Sequence, residues 1–342
     1  MTDLMKHWSI DAAGRENLKF VESPIPTPGP AEILVRVAAV SLNYRDKLLV
    51  DDGFGLQRMV TPLTPGSDMA GKVIAVGSSV DRFQPGDRVI STFIPGWIDG
   101  VGPGNARQPT HGSLGGGYQG VLAEYVALNQ EWAVKVPGGL SDVAASTLPC
   151  AGLTAWTGLV ERGNLHSGQT VLVQGTGGVA LFGAQIALAH GAETIVISGS
   201  DEKLTRAREL GVHHAINRNK HDWVEEIYRI TGDRGVDHIL EIVGGAHLDQ
   251  SLRAAAVGGR ISLIGVLEGF EISGGFASFA QKRLVVEGIQ VGHRRALEDF
   301  AHAVEMNGIK PVVDAEYGLV DLPAALDHLT RGPFGKIVVT VN

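Results

Sequence analysis

The chain has 342 residues, of which 44% are hydrophobic and 19% are charged, a composition typical of globular proteins and unlike that of disordered chains. Lys and Arg number 29 against 37 Asp and Glu, so the formal net charge is −8, which excludes the strongly basic character of proteins that bind nucleic acids or anionic membranes. The single cysteine, Cys150, excludes an intrachain disulfide and a cysteine-rich zinc site.

The N-terminal residues and the hydropathy pattern indicate where the protein resides. Residues 1–17 carry several charges and lack an apolar stretch of signal-peptide length. A run of about 18 apolar residues, the length that crosses a bilayer, does not occur. The sequence therefore predicts a cytoplasmic protein without a nucleic-acid or membrane partner.

The length predicts two domains of roughly 150 residues. From His7 to about Val136, short alternating runs such as Glu32–Ala39 are separated by Pro and Gly, which predicts a small antiparallel barrel or sandwich. Within it, the Gly-rich stretch Thr92–Gly120 is too long and too rich in turns for a hairpin, and it predicts an extended surface lobe.

After Cys150 the pattern changes to strands and helices that alternate with short loops. Such alternation predicts a parallel sheet with helices on both faces, a doubly wound domain. The predicted strands are followed by their helices as Thr170–Gln174 with Val179–His190, Thr194–Ser198 with Asp201–Leu210, and Val236–Glu241 with a helix near His247–Ala256, and the last strand is Arg260–Gly265.

The final segment, Ala296–Asn342, carries two amphipathic helices and a closing strand, Lys336–Val341. It could extend the parallel sheet or return to the first domain, and the ending GPFGKIVVTV favours the return. The predicted domains are therefore residues 1–150 with 293–342, and residues 151–292.

The strongest local motif is Gly175-Thr176-Gly177-Gly178-Val179-Ala180, which lies between the predicted strand VLVQ and an apolar helix. Gly175 permits a tight turn, Gly177 lets the backbone approach a pyrophosphate, and the small Ala180 lets the helix pack on the strand. The phosphates would then lie at the N-terminus of that helix. This context predicts dinucleotide binding.

The second strand of this unit ends at Ser198-Gly199-Ser200, where an NAD site usually has an acid that accepts from the ribose 2′-hydroxyl. The residues that follow, Ser200, Lys203 and Arg206, suit a 2′-phosphate. Ser200 is also explained as an N-cap, with Asp201 and Glu202 in the first turn, and both interpretations can hold together. The sequence favours NADPH, with NADH as the alternative.

Four segments together resemble the medium-chain dehydrogenase/reductase superfamily, and the resemblance covers essentially the whole chain. They are PGSDMAGKVIAVG, LPCAGLTAWTGL, VLVQGTGGVALFGAQIALAHGA and GPFGKIVVTV. The sequence is most similar to the zinc-free quinone reductase (zeta-crystallin)-like branch, often labelled NAD(P)-dependent alcohol dehydrogenase. The resemblance implies an α/β protein with a GroES-like β-barrel catalytic domain, a Rossmann domain between its two chain segments, and an active site in the cleft.

The resemblance also implies where a catalytic zinc would be bound, and here those positions read Asn43, Ser67-Asp68 and Cys150. Zinc requires three or four nitrogen, sulfur or carboxylate ligands, so this is a poor set. The lobe lacks the four cysteines of the family's structural zinc site, and its His111 is interpreted as solvated. The sequence therefore predicts no metal, and Cys150 is interpreted as a buried thiol.

The segment Asn43-Tyr44-Arg45-Asp46 matches the Asn-aromatic-x-Asp pattern of quinone reductase-like enzymes. Asn43 and Tyr44 can donate hydrogen bonds to a substrate oxygen, and Arg45 could hold a carboxylate or the cofactor. Tyr44 could equally stack on the nicotinamide or line the pocket, and Asp46 is better explained as a brace than as a reacting group. The candidate catalytic residues are Asn43, Tyr44 and Asp46, and the candidate cofactor-binding residues are Thr154, Gly175, Thr176, Gly177, Gly178, Val179, Ser198, Ser200, Lys203 and Gly265.

The predicted absence of a metal favours substrates whose reduction does not require a Lewis acid. Hydride delivery to an isolated ketone builds an alkoxide that needs a Lewis acid or a well-placed acid, whereas delivery to an enone or a quinone builds a delocalised enolate or phenolate. The sequence thus favours NADPH-dependent reduction of a quinone or an activated alkene (enone or enal), with protonation by water or Tyr44. The alternatives are an alcohol or aldehyde dehydrogenase without catalytic zinc, which relays protons through Tyr44 or Asp46, and a low-turnover dinucleotide-binding protein with a structural or sensing role.

The predicted strand Leu284–Val291 is apolar and would lie at the edge of the sheet. An unpaired edge of this kind favours pairing with a second copy across a two-fold axis. The sequence therefore predicts a homodimer that forms through the Rossmann domains.

Overall fold

The computed structural model describes residues 3–55, 61–109 and 112–341. The chain divides into two compact units, of which one, the outer unit, comprises Met1–Leu153 and Gly292–Asn342. The other, the central unit, comprises Thr154–Val291.

The strands in chain order are β1 (Leu4–Ile10), β2 (Leu18–Pro24), β3 (Glu32–Ser41), β4 (Asp68–Val76), β5 (Arg88–Ser91), β6 (Ser113–Leu114), β7 (Gly117–Tyr118), β8 (Tyr125–Asn129), β9 (Ala133–Lys135), β10 (Thr170–Gln174), β11 (Glu193–Ser198), β12 (His214–Asn217), β13 (Val236–Glu241), β14 (Ala255–Leu263), β15 (Val285–Gly288), β16 (Val313–Gly318) and β17 (Lys336–Thr340). The helices are α1 (Tyr44–Asp52), α2 (Asp142–Ala145), α3 (Leu153–Trp156), α4 (Gly178–Ala189), α5 (Asp201–Glu209), α6 (Trp223–Thr231), α7 (Leu248–Ala254), α8 (Phe276–Gln281), α9 (Arg294–Asn307) and α10 (Leu322–Thr330).

The outer unit is built on a seven-stranded sheet in which β3 is the central strand. The order is β16-β17-β3-β4-β5-β9, and β8 also pairs with β3. The side chains of β3 that point inward, such as Ile33, Val35 and Val37, are buried in one apolar core with residues of β4, β8 and β17. Because β17 pairs antiparallel with β3, the C-terminal segment belongs to the sheet of the N-terminal residues.

The central unit contains a six-stranded parallel sheet of order β12-β11-β10-β13-β14-β15. The chain starts at β10, proceeds outward to β12, and then returns to the other side of β10 with β13. The strand order therefore reverses between β10 and β13, the place where open α/β sheets bind ligands beyond the carboxyl ends of their strands. The predicted doubly wound parallel sheet is confirmed.

The Gly-rich stretch after β5 has a buried base and an exposed tip. Phe93 and Leu114 are buried at the base, whereas Val101 is 97% exposed. Two backbone hydrogen bonds tie the segment to the start of α9, from Arg294 N to Trp97 O (2.9 Å) and from Arg295 N to Ile98 O (3.1 Å). His111 lies outside the described residues.

The helical segment Asp142–Glu161 connects the two units. By length and composition alone it could cross a membrane, but 72% of its apolar window is buried within the protein. Such burial is typical of a core helix.

Candidate functional site

The polar groups of the outer unit converge where the end of β3 meets the starts of β4 and β17. Ser41, the last residue of β3, lies opposite Asp68 on one side and Val338 on the other. This register gathers residues from distant parts of the chain, which we call the polar cluster. Its members are Asn43, Ser67, Asp68, Cys150 and Lys336.

The side chains of the polar cluster form a continuous chain of hydrogen bonds. The Lys336 ammonium donates to Asn43 Oδ1 at 2.6 Å, and Asn43 Nδ2 donates to Ser67 Oγ at 3.3 Å. Ser67 Oγ donates to Asp68 Oδ1 at 2.6 Å, and Asp68 Oδ2 accepts the backbone N–H of Cys150 at 3.0 Å. A cation and a carboxylate therefore lie at opposite ends of a row of neutral polar groups.

Burial sets the protonation of the two acids in this cluster. Burial raises the pKa of Asp68 to about 6, and the Lys336 ammonium and the hydrogen bond from Ser67 oppose that rise. Burial, together with the nearby Asp68 carboxylate, also raises the pKa of the Cys150 thiol. Near neutral pH, Asp68 is thus mostly ionised and Cys150, which is half-buried rather than fully buried as the sequence predicted, is a protonated thiol.

The first turn of α1 places the other two candidate catalytic residues. Asp46 is buried, and its Oδ2 accepts the backbone N–H of Asn43 at 2.8 Å, so it braces the turn in front of the helix. Tyr44 is 41% exposed, and the Lys47 ammonium lies 5.9 Å from its ring centroid. The structure thus places Tyr44 at the surface of the outer unit and Asp46 in its interior.

Arg45 is engaged at the base of the lobe. Its guanidinium donates to Ser113 Oγ (3.1 Å), to Leu114 O (2.9 Å) and to Gly115 O (3.0 Å), and it lies over the Phe93 ring. These contacts give Arg45 a structural role, in place of the carboxylate or cofactor contact considered from the sequence.

The donor atoms of the polar cluster do not fit a zinc ion. Only Asp68 and Cys150 offer groups of the kind that bind zinc, and both Asp68 oxygens already accept hydrogen bonds. The Lys336 ammonium adds a positive charge to the same cluster. In the described ranges, no group of three or more His, Cys, Asp or Glu side chains could hold a metal.

The Gly-rich turn of the central unit fits a pyrophosphate. Gly175 has a φ of 79°, which favours glycine, and its N–H donates to Ile197 O at 2.7 Å. Gly177 is the N-cap of α4 and no side chain caps that helix, whereas Ser200 caps α5. A Cβ atom at Gly177 would meet only open space. The N–H groups at the start of α4 are therefore accessible to an anion.

Most candidate cofactor-binding residues lie along the carboxyl edge of the parallel sheet. Gly175 to Val179 follow β10, Ser198 ends β11, and Gly265 follows β14. A Cβ at Gly265 would lie 1.6 Å from Ile242 O, so only glycine fits there. Thr154 is buried in α3, in the helical segment that precedes β10.

One glycine in α4 was not singled out from the sequence. A Cβ at Gly183 would lie 2.3 Å from Leu240 Cδ1, so Gly183 allows the close approach of α4 to the sheet. Ala180 is fully buried on the same helix. The position of this glycine inside an otherwise apolar helix could have indicated close packing from the sequence.

At the end of β11 the structure shows the N-cap that the sequence predicted for Ser200. Ser200 Oγ accepts the backbone N–H of Lys203 at 3.4 Å, so Ser200 is an N-cap. The Asp201 carboxylate is bound by Lys220 (2.6 Å) and by Asn217 Nδ2 (2.7 Å), and the hydrogen bond from Lys220 is the main reason that the pKa of Asp201 is lowered. Asp201 is therefore directed toward β12.

Arg218 is a cation at this edge that sequence reasoning missed. It follows β12 directly, and its backbone N–H donates to Ser198 O at 3.1 Å. Its side chain is exposed, and its Nε would lie 3.6 Å from a Cβ built at Gly199. Because neighbouring parallel strands end at the same edge, the residue after the third strand could have been considered.

A buried carboxylate holds the loop that follows β13. Glu241 is fully buried, and its Oε1 accepts the N–H groups of Val243 (2.9 Å) and Gly244 (3.0 Å). Its Oε2 accepts from Gln174 Nε2 (2.9 Å) and contacts His247 Nδ1 (3.2 Å). This network supports the loop beside Gly265, and no sequence pattern pointed to it.

Comparison with known families identifies two matching segments. Residues 29–138 match the family model described as an alcohol dehydrogenase GroES-like domain, and residues 178–334 match the model described as a zinc-binding dehydrogenase. The first match confirms the predicted GroES-like domain.

Individual proteins similar to this chain come from several organisms. A zinc-type alcohol dehydrogenase-like protein of Schizosaccharomyces pombe is 36% identical over 97% of both chains. A quinone oxidoreductase of Homo sapiens is 25% identical over 96% of this chain and 95% of its own. A solved structure from Sinorhizobium meliloti, provisionally named an alcohol dehydrogenase, has a TM-score of 0.96 and 58% identity over 99% of both chains.

Proposed function

The chain belongs to the medium-chain dehydrogenase/reductase superfamily, and we propose that this NAD(P)-dependent oxidoreductase reduces a quinone or an activated alkene with NADPH and without zinc. The observation that carries the proposal is the polar cluster, in which Lys336, Asn43, Ser67 and Asp68 form a hydrogen-bond chain instead of a ligand set for a metal.

The donors of the polar cluster suit an acceptor whose product charge is delocalised. An alkoxide formed from an isolated ketone concentrates its charge on one oxygen, and stabilising it demands a Lewis acid or a strong proton donor. An enolate or a phenolate spreads the charge, so a hydrogen-bond donor is sufficient. Asn43 Nδ2 donates one N–H to Ser67 and has a second N–H for a substrate oxygen.

NADPH supplies the hydride when it is bound. The residues that would hold it are the N–H groups at the start of α4 for the pyrophosphate, and Lys203 and Arg218 for the 2′-phosphate. The end of β11 carries Ser198 rather than an acid, and the nearby Asp201 is bound by Lys220. Arginine and lysine form charge-assisted hydrogen bonds with phosphate, which favours NADPH over NADH.

The proton that completes the reduction comes from Tyr44 or from water. Tyr44 directly follows Asn43, and 41% of the residue is exposed. In this role Tyr44 donates its phenolic proton and recovers it from solvent. Asp46 acts only by holding the turn in which Asn43 and Tyr44 lie.

Two copies of the chain are proposed to pair through the central units. β15 is the last strand of the parallel sheet, so its outer edge has no neighbour within the described chain. The strand covers Val285–Gly288, which is shorter than the predicted Leu284–Val291. Exposed apolar side chains lie in and before this strand, with Val285 in β15 at 39% and Phe276 in α8 at 79% exposure. An edge of this kind favours strand pairing across a two-fold axis.

A substrate screen tests the proposed function. Oxidation of NADPH is followed at 340 nm (the reduced nicotinamide absorbance), with quinones, enones, enals, saturated aldehydes and ketones as acceptors. The proposal expects turnover with quinones or enones and at most weak turnover with saturated carbonyl compounds. Reduction of only saturated aldehydes or ketones would favour the alcohol dehydrogenase alternative, and no turnover with any acceptor would favour the binding-protein alternative.

A further inference from the structure

We propose that Lys336 is a positioning residue, whose ammonium fixes the orientation of the Asn43 side-chain amide and strengthens the N–H that it offers to a substrate oxygen. This inference rests on the proposed function, because it assigns Asn43 the role of hydrogen-bond donor to the substrate.

The Lys336 side chain is buried and has specific partners. Only 5% of the residue is exposed, and Nζ donates to Leu42 O at 2.5 Å and to Asn43 Oδ1 at 2.6 Å. A buried ammonium is costly unless hydrogen bonds and opposite charges compensate for lost hydration. The Asp68 carboxylate provides the nearby negative charge that acts on Lys336 across the cluster.

The two ends of the cluster impose the same orientation on the Asn43 amide. An ammonium only donates hydrogen bonds, so the group of Asn43 that faces Lys336 must be the carbonyl oxygen. An ionised carboxylate only accepts, so the Ser67 hydroxyl donates to Asp68 and leaves an oxygen lone pair for Asn43 Nδ2. Because Lys336 and Asp68 both require the same orientation of the Asn43 amide, its remaining N–H has a fixed direction.

The ammonium also changes the strength of that N–H. A charge-assisted hydrogen bond to an amide oxygen draws electron density from the nitrogen, and hydrogen bonds in a row strengthen one another in a low-dielectric interior. The second N–H of Asn43 is therefore a better donor with Lys336 in place. Lys336 acts through Asn43 and need not touch the substrate.

A double-mutant cycle separates this role from a merely structural one. Lys336→Met removes the charge and retains an unbranched chain, and we expect it to lower kcat for the quinone or enone substrate by roughly 10- to 100-fold, the value of a hydrogen bond to a charged group. In an Asn43→Ala background the same substitution should have little further effect on kcat. Equal losses in both backgrounds, or an unchanged kcat in the single variant, would overturn the proposal.

A matched control is available in the central unit. Lys282 is another partly buried lysine, and its Nζ donates to the backbone carbonyls of Leu252 and Ala255. Lys282→Met removes a comparable ammonium away from the polar cluster, and we expect kcat to be unchanged. The conservative Lys336→Arg, which retains the charge, should recover much of the loss seen with Lys336→Met, and a lack of recovery would count against a role for the charge.

A second measurement needs neither substrate nor turnover. The Asn43 side-chain amide resonances of ¹⁵N-labelled protein, assigned by their absence in Asn43→Ala, report the hydrogen bonds of this group. Solvent exchange of these protons should be at least about 10-fold faster in Lys336→Met, or in Lys336→Gln if the Met variant does not fold, than in the wild type. Unchanged exchange would overturn the inference, whereas a wild type that reduces no quinone or enone would overturn only the proposed function.

Discussion

The Asp68 carboxylate accepts the backbone N–H of Cys150 at 3.0 Å, across 82 positions of the chain. This bond ties the start of β4 to the helical segment that leads into the central unit. Because the same carboxylate accepts from Ser67, its protonation alters both the polar cluster and this connection.

The stability of the protein should depend on the protonation of Asp68. Its pKa in the folded state is raised to about 6 from the ordinary 3.8, so between these values the folded state holds more protons than the unfolded state. The free energy of unfolding therefore falls as the pH rises through this range, by roughly 2 kcal/mol between pH 4 and pH 6 and by about 3 kcal/mol in total. Denaturant titrations of wild type and Asp68→Asn across this range should show that the variant lacks this decrease, and parallel pH curves would contradict the assignment.

The Asn43 amide should contribute to catalysis and not to cofactor binding. Loss of one donor to a developing oxyanion costs roughly 10- to 1000-fold in rate, so Asn43→Ala should lower kcat/KM by an amount in this range. The dissociation constant of NADPH should barely change. Asn307→Ala, an exposed asparagine at the end of α9, is the control. Full turnover in both Asn43→Ala and Tyr44→Phe would show that other residues stabilise the product oxygen.

Purified protein should contain little zinc. Asp68 and Cys150 are too few ligands for a stable site, so elemental analysis after dialysis against metal-free buffer should find well under one zinc per chain. Turnover should also survive incubation with a chelator. A stoichiometric zinc that is lost in Cys150→Ser would refute the zinc-independent mechanism.

The cofactor preference should depend on Lys203 and Arg218, the cations that follow β11 and β12. Charge-assisted hydrogen bonds to the 2′-phosphate, at roughly 1.5–3 kcal/mol, predict about a ten- to hundredfold preference for NADPH. Fluorescence titrations should show that Lys203→Ala and Arg218→Ala weaken NADPH binding and leave NADH binding unchanged. Arg229→Ala, on α6, is the control. Equal affinities for both cofactors in the wild type would remove the case for phosphate recognition.

Assembly should depend on the outer edge of β15. Light scattering at micromolar concentration should give twice the chain mass of 36.1 kDa. Val285→Lys places a charge on the exposed edge strand and should shift the protein toward the monomer, whereas Val257→Lys, on an exposed position of β14, is the control. A wild-type monomer at this concentration would contradict the pairing.

The fold class could be predicted from the sequence because the patterns that indicate it are local. The change from period-two runs to alternating strands and helices near Cys150 identified the parallel sheet, and the Gly175–Val179 turn identified its phosphate-binding end. Glycine and hydropathy signals of this kind depend on near neighbours in the chain.

The parts of the site that sequence reasoning missed depend on contacts between distant residues. Lys336 is 293 positions from Asn43. A lysine at the start of a valine-rich strand is usually exposed to solvent, so its sequence context did not indicate a contact with Asn43. The Glu241 network likewise joins β10, β13 and α7. For Arg45 the sequence suggested a contact with a carboxylate or the cofactor. The structure instead shows its guanidinium bound to backbone carbonyls of the lobe.

The antiparallel pairing of β17 with β3 has a consequence for biosynthesis. The central unit is one continuous stretch, Thr154–Val291, and the ribosome completes it before β17 is made. At about 5–20 residues per second, roughly ten to forty seconds separate residue 153 from residue 336. During that interval β3 lacks one of its neighbours and Asn43 lacks its ammonium partner, so on the ribosome the dinucleotide-binding unit is expected to fold first, and the polar cluster is completed only when the last strand emerges.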